Sequence, residues 1–100
     1  MIRAVLAIQP DTDPASTYEI SGEHTLLGRN LNAEVLLLDK GVSRDHALIV
    51  WDDDHYEIED LQTTNGTRLN GKKVRSATLN DGDIIQVGQT RLVFSLDSSS

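Results

Sequence analysis

A chain of 100 residues with a formal net charge of −7 at pH 7 has room for one compact domain, and its 38% apolar residues can supply one core. It contains no cysteine, which excludes a disulfide scaffold and a cysteine-based zinc site. No apolar run is long enough to span a bilayer, and the acidic balance disfavours a broad nucleic-acid interface. We therefore expect a cytoplasmic domain that neither inserts in a membrane nor binds nucleic acid.

Short apolar and β-branched runs separated by turn residues predict strands along the whole chain. The predicted strands cover residues 2–8, 18–20, 25–27, 35–38, 46–51, 56–58, 67–69, 72–74, 77–79, 84–87 and 90–96. Asp52-Asp53-Asp54 and Gly88-Gln89 occupy the tips of two predicted hairpins. Because no stretch carries a sustained apolar stripe at helical spacing, the pattern predicts an all-β sandwich or barrel.

The expected domain covers residues 1–96, and the serine-rich residues 97–100 are expected to form a frayed tail or a linker stub. Within the predicted strand 46–51, alternation places Ala47, Ile49 and Trp51 on one face. Leu48 and Val50 fall on the other face, and the sequence leaves open which of the two faces is buried.

Polar and cationic residues concentrate in three predicted loops, where binding residues are common on a rigid sheet scaffold. The loops contain Gly28-Arg29-Asn30, Ser43-Arg44-Asp45-His46 and residues 60–67, the last followed by Asn70-Gly71. Two guanidiniums, several hydroxyls and an asparagine amide suit a phosphate monoester. Each loop alone also has an ordinary interpretation, as a surface charge, as the cap of a helical turn or as a tight turn.

The order and spacing of these motifs resemble the forkhead-associated (FHA) domain family. Gly28-Arg29, Ser43-Arg44-Asp45-His46-Ala47 and Thr64-Asn65-Gly66-Thr67 match its G-R, S-R-x-H-A and T-N-G-T patterns. The segment Leu79-Asn80-Asp81-Gly82-Asp83 is similar to the family's L-x-D-G-D stretch. The resemblance implies a sandwich of two twisted, mostly antiparallel sheets, with about eleven short strands and the ligand loops at one end.

The resemblance also implies a site for a phosphothreonine in an extended peptide. Arg29, Ser43 and Arg44 would contact the phosphate through charge-assisted and hydroxyl hydrogen bonds. Thr64 would add a hydroxyl or backbone donor, and Asn65 would bind the peptide main chain.

Other residues of the motifs are implied to shape the loops or to select the peptide. The residues expected to shape loops without touching the ligand are Gly28, His46, Gly66 and Asn70. Asn30 and Arg68 are expected to contribute to peptide specificity, with an acidic or polar side chain favoured near Arg68. A plain surface charge on a strand is an equally good interpretation of Arg68.

We therefore expect a non-catalytic, phosphothreonine-dependent peptide- or protein-binding module in kinase signalling, with no cofactor and no metal. Its partner would be a phosphothreonine-containing protein or peptide, such as a serine/threonine kinase or its substrate. A catalytic Ser43–His46 pair is disfavoured because the sequence contains no nucleophile elbow, and the histidines are scattered. The alternative is a phospho-independent, FHA-like scaffold or assembly module.

Overall fold

The architecture of the chain is given by a computed structural model that describes residues 2–9 and 16–98. The strands are β1 (Ile2–Ile8), β2 (Ser16–Ile20), β3 (His24–Gly28), β4 (Val35–Leu36), β5 (Ala47–Asp52), β6 (His55–Asp60), β7 (Thr67–Leu69), β8 (Lys72–Val74), β9 (Ser76–Leu79), β10 (Ile84–Val87) and β11 (Thr90–Ser98). No helix in these residues is long and apolar enough to cross a membrane.

The strands form two sheets whose inner faces make one core. The six-stranded sheet has the order β2-β1-β11-β10-β7-β8, and the five-stranded sheet has the order β4-β3-β5-β6-β9. All pairings are antiparallel except that of β3 with β4, which is parallel. The expected all-β sandwich of two mostly antiparallel sheets is confirmed.

Alternation along the strands decides which side chains fill the core. In β5, Ala47 and Ile49 are buried, whereas Leu48 and Val50 on the opposite face are half-buried. Trp51 shares the inner face but lies at its margin, where its ring centroid is 4.7 Å from that of Tyr56. The sequence did not decide which face of this strand is buried, and the structure shows that it is the face with Ala47 and Ile49.

Several strand boundaries differ from the sequence-based prediction, most of them by one or two residues. The strand expected over residues 35–38 is only Val35–Leu36, and β5 begins at Ala47 because His46 belongs to the preceding loop. Strand β11 continues to Ser98, two residues beyond the expected domain end. The remaining residues of the expected tail, Ser99 and Ser100, lie outside the described residues.

The antiparallel registers sort the connections between the two ends of the sandwich. One end, the loop end, carries residues 29–34, 37–46, 61–66 and 88–89. The other end, the hairpin end, carries the turn at residues 53–54 and the connections 21–23, 70–71 and 80–83. The three predicted loops that contain the polar and cationic motifs therefore lie at the same end.

Candidate functional site

The first two loops of the site are joined through their backbones at the end of β3. A Cβ on Gly28 would lie only 2.0 Å from the carbonyl oxygen of Arg44, so only glycine permits this close approach. The next two N–H groups, those of Arg29 and Asn30, donate to the carbonyl oxygens of Ser43 and Arg44, each at 3.0 Å. These bonds fix the two arginines on adjacent loop segments.

Arg29 and Arg44 line one depression. Arg29 Nε donates to the carbonyl oxygen of Val42 at 2.6 Å, which anchors the side chain and leaves its two terminal amino groups for a ligand. The depression has a volume of about 560 Å³ and is lined by Arg29, Asn30, Leu31, Asn32 and Arg44. Of the ion pairs within residues 2–9 and 16–98, none involves either arginine.

His46 connects the second loop to the third from a fully buried position. Its Nδ1 accepts the N–H of Ser43 at 3.0 Å, so the ring proton is on Nε2, which donates to the carbonyl oxygen of Gly66 at 2.8 Å. Ser43, half-buried, is thus held at a fixed distance from the third loop. The imidazole acts as a strut between two loops.

Asp60 organises the third loop from the end of β6. Its carboxylate accepts the hydroxyls of Thr63 and Thr67, both at 2.7 Å, and the N–H of Thr63 at 3.1 Å. The Thr63 hydroxyl in turn accepts the N–H of Gly66 at 2.9 Å. This network shapes the turn that exposes Thr64 and Asn65.

Asn65 and Asp39 attach the remaining loops to one another. Asn65 Nδ2 donates to the carbonyl oxygen of Gly41 at 2.9 Å, which leaves the amide oxygen of Asn65 as an acceptor. The Asp39 carboxylate accepts the N–H groups of Gly41 and Gln89, at 2.8 and 2.7 Å, and the Thr90 hydroxyl at 2.9 Å. The loop end is therefore one connected network of loops from both sheets.

The two organising carboxylates are held in their charged form. Hydrogen bonds from the N–H groups of Gly41 and Gln89 lower the pKa of Asp39. Burial raises the pKa of Asp60, but the hydrogen bonds from Thr63 and Thr67 outweigh it, and the net pKa lies below the usual value. Both acids are therefore fixed, negatively charged acceptors at neutral pH.

The structure brings most of the predicted site residues to the loop end. Those found there are Gly28, Arg29, Asn30, Ser43, Arg44, His46, Thr64, Asn65 and Gly66. Asn30 donates through Nδ2 to Asp45 at 2.9 Å and accepts the N–H of Asn32, so its amide is engaged within the loops. Arg68, exposed on β7, lines a small cavity of about 240 Å³ beside Asn65.

Asn70 is the exception, because it lies at the hairpin end. It has a positive φ of 53°, its Nδ2 donates to Asp83 at 3.0 Å, and its Oδ1 accepts the N–H of Ile84 at 2.9 Å. It joins the turn after β7 to the start of β10, so the loop that it shapes lies at the end opposite the arginines.

Sequence reasoning did not assign roles to Asp39 and Asp60. Asp39 lies two residues before Gly41, and Asp60 lies at the end of an apolar run and ahead of a turn, positions typical of side chains that accept backbone N–H groups. That pattern identifies a local turn, but the contact of Asp39 with Gln89, fifty residues away, exists only in the tertiary structure.

A second polar group, not expected from the scattered histidines, occupies the hairpin end. His55 Nδ1 is 2.6 Å from Asp54, and its Nε2 is 2.7 Å from Glu57 and 3.9 Å from Asp52. The hydrogen bonds that the His55 ring donates to Asp54 and Glu57 raise the pKa of His55 to about 9. Asp52, His55 and Glu57 each offer one potential metal ligand, and these atoms lie within 4.8 Å of one another. The contacts, however, are those of a protonated histidine that donates hydrogen bonds to carboxylates.

Comparison with known proteins agrees with this architecture. A family model described as the FHA domain matches residues 25–88. The chain is 35% identical over 88 residues to the FHA domain-containing protein FhaA of Mycobacterium tuberculosis, which covers 88% of this chain and 17% of FhaA. It is 36% identical over 91 residues to the oxoglutarate dehydrogenase inhibitor of Corynebacterium jeikeium, covering 91% of this chain and 63% of that protein.

Solved structures show the same fold. The FhaA FHA domain, complexed with the intracellular domain of Rv3910, superposes with a TM-score of 0.84 at 34% identity, over 91% of this chain and 98% of that one. EmbR of Mycobacterium tuberculosis, in complex with a low affinity phosphopeptide, gives a TM-score of 0.88 at 29% identity, over 98% of this chain and 25% of that one. The chain belongs to the FHA domain family, and it spans less than two thirds of these two curated relatives.

Proposed function

We propose that this chain is a non-catalytic module that binds a phosphothreonine in a partner protein or peptide, as part of serine/threonine kinase signalling. The observation that carries the proposal is the shared depression of Arg29 and Arg44, two cations without a carboxylate partner among the described residues. Two neighbouring cations repel each other until an anion binds between them. A phosphate dianion fits this need better than a carboxylate does.

The roles of the individual side chains follow from their donors. A phosphothreonine carries close to two negative charges and three strong acceptor oxygens. Arg29, pre-oriented by its bond to Val42, and Arg44 provide charge-assisted donors, and the Ser43 hydroxyl adds a neutral one. Thr64 and Asn65 are exposed at the same end of the sandwich. Thr64 supplies a further donor, and the Asn65 amide binds the main chain of the peptide.

The relatives support this class of ligand and partner. EmbR is solved with a phosphopeptide, and the FHA domain of FhaA with an intracellular domain of another protein. By analogy, the partner of this chain is a phosphothreonine-containing kinase or kinase substrate in the cytoplasm. Binding requires no cofactor, no metal, no nucleic acid and no membrane.

The decisive experiment is a titration of the protein with three matched peptide libraries, which carry phosphothreonine, phosphoserine or threonine at a fixed central position. We expect the phosphothreonine library to bind with a Kd of about 1–100 μM and threonine to bind far more weakly. Amide chemical shifts of Ser43, Arg44, Thr64 and Asn65 should move on binding. Equal binding of the phosphorylated and plain libraries would instead indicate the phospho-independent scaffold.

A further inference from the structure

A second cleft opens at the loop end, and it shares no lining residue with the depression of Arg29 and Arg44. It has a volume of about 820 Å³ and is lined by Asp60, Gln62, Thr63, Lys73, Val74 and Arg75. Thr63 is the direct neighbour of Thr64 in the chain, so the cleft borders the loop that carries Thr64 and Asn65. The connection from β8 to β9 supplies its other wall.

The wall from β8 is strongly cationic in an otherwise acidic chain. Residues 72–75 contain three of the chain's nine lysines and arginines, namely Lys72, Lys73 and Arg75. Lys73 and Arg75 line the cleft and are exposed, and neither takes part in an ion pair within residues 2–9 and 16–98. The cleft therefore presents two cations without carboxylate partners to solvent.

Lys73 is held against the loop that carries Thr64 and Asn65. A Cβ on Gly66 would lie 2.3 Å from Cε of Lys73 and 3.3 Å from its Cγ, so the lysine stem lies across this glycine. Packing of an aliphatic stem on backbone orders the side chain while the ammonium stays in water. The ammonium is thus kept beside the loop and is less free than that of an ordinary surface lysine.

The one acid that lines the cleft, Asp60, does not neutralise these cations. Its two oxygens accept three hydrogen bonds from Thr63 and Thr67, at 2.7, 2.7 and 3.1 Å. Its charge is therefore spread over neutral donors inside the loop. Lys73 and Arg75 stay available for an external anion.

We propose that this cleft is a second anion subsite, which binds an acidic side chain of the same peptide whose phosphothreonine lies between Arg29 and Arg44. This inference rests on the proposed function. The ligand group is a carboxylate or a second phosphate, because both offer oxygens to an ammonium and a guanidinium. The peptide binds as an extended chain, which rises about 3.3 Å per residue, and scanning each position locates the acidic residue.

The experiment compares phosphothreonine peptides that carry glutamine, glutamate or a second phosphothreonine at each position around the first phosphothreonine. At one or two positions glutamate should tighten binding about 3- to 10-fold over glutamine, and a second phosphate should tighten it further, because exposed charge pairs are individually weak. The gain should fall as salt is raised.

Lys73→Met keeps the stem on Gly66 and removes the charge, and Arg75→Gln is a second, independent variant. Each should reduce the gain from the acidic residue and leave the affinity for the glutamine peptide nearly unchanged. Lys72→Met is the matched control, since Lys72 lies on the same strand but does not line the cleft. In this control, the acidic residue should increase the affinity of the peptide as much as it does for the unmodified protein.

The outcomes separate the two proposals. If the phosphothreonine peptides bind but glutamate and a second phosphate give no gain at any position, the subsite is refuted and the proposed function stands. The subsite is likewise refuted if the gain survives in Lys73→Met and Arg75→Gln. If no phosphothreonine peptide binds at all, both the subsite and the proposed function fall.

Discussion

Both ends of the sandwich carry clustered carboxylates, but they use them in different ways. At the loop end, Asp39 and Asp60 accept hydrogen bonds from N–H groups and hydroxyls of the loops themselves. At the hairpin end, Asp54 and Glu57 hold a cation, His55. The carboxylates of the loop end accept hydrogen bonds from neutral donors, whereas those of the hairpin end pair with a charged group.

This difference explains how a chain of net charge −7 presents a cationic site. Because the loop acids are taken up by neutral groups, Arg29 and Arg44 are left without intramolecular partners in the described part of the chain. At the hairpin end the opposite arrangement ties the charge of His55 to Asp54 and Glu57. Net charge governs solubility and long-range steering, whereas the local partners decide what binds.

The largest effect is expected from Arg29→Ala, which removes one of the two guanidiniums of the loop end. Loss of a desolvated charge partner should weaken binding of a phosphothreonine peptide by about 2–5 kcal/mol, or roughly 30- to 4,000-fold. Isothermal titration calorimetry measures this. Arg3→Ala is the control, because Arg3 is exposed, lies 4.0 Å from Glu19 and is remote from the loops. Similar losses in both variants would contradict the assignment.

The contacts of His46 with the second and third loops are tested by His46→Ala. The substitution leaves the Ser43 N–H and the Gly66 carbonyl without their partner in a buried place, and it opens a cavity. We expect the free energy of unfolding to fall by about 2–4 kcal/mol, measured by urea denaturation. His24→Ala, at an exposed position of β3, should change it little. An unfolding free energy as high as that of the unmodified protein would show that the loops do not depend on His46.

The close approach of the first two loops is tested by Gly28→Ala. The added methyl must displace the Arg44 carbonyl, which a Cβ would otherwise meet at 2.0 Å. We expect a loss of stability of about 1–3 kcal/mol together with weaker peptide binding, since Arg44 moves with its backbone. At Gly22 a Cβ would meet its nearest atom at 3.7 Å, so Gly22→Ala is the control. If both variants bind alike, the spacing of these loops is unimportant.

The smallest effect concerns the hairpin end and its pH dependence. The pKa of His55 is raised to about 9, above its ordinary value of 6.5. The contribution of the charged His55 and its carboxylate partners to the free energy of unfolding is therefore complete below pH 6.5. It is lost as the pH rises through about 9. The difference in Tm between the unmodified protein and His55→Gln should therefore shrink between pH 6 and pH 10. A difference that stays constant over this range would show that the charge of His55 is not what holds the hairpin.

Much of the fold could be predicted from the sequence because short strands have a strong local signature. All eleven strands lie where alternation and turn residues indicated. The boundaries at residues 35–38 and at His46 were displaced, because pairing partners and a buried side-chain contact, which have no local signature, set them. For the site, the motifs located the arginines and the exposed Thr64 and Asn65 turn, but not the cleft of Lys73 and Arg75.

The sequence alone determined the element types, the set of loops and the family, since period-two alternation, turn residues and motif spacing are local properties of the chain. Only the tertiary structure decided which carboxylates are taken up inside the loops and which cations remain for a ligand. Those outcomes depend on contacts such as Asp39 with Gln89 and Lys73 with Gly66, between residues far apart in the chain or on opposite sides of a turn. Hydrogen bonds and charge pairs form between whatever groups the fold brings within about 3–4 Å, and the order of the residues does not fix that distance.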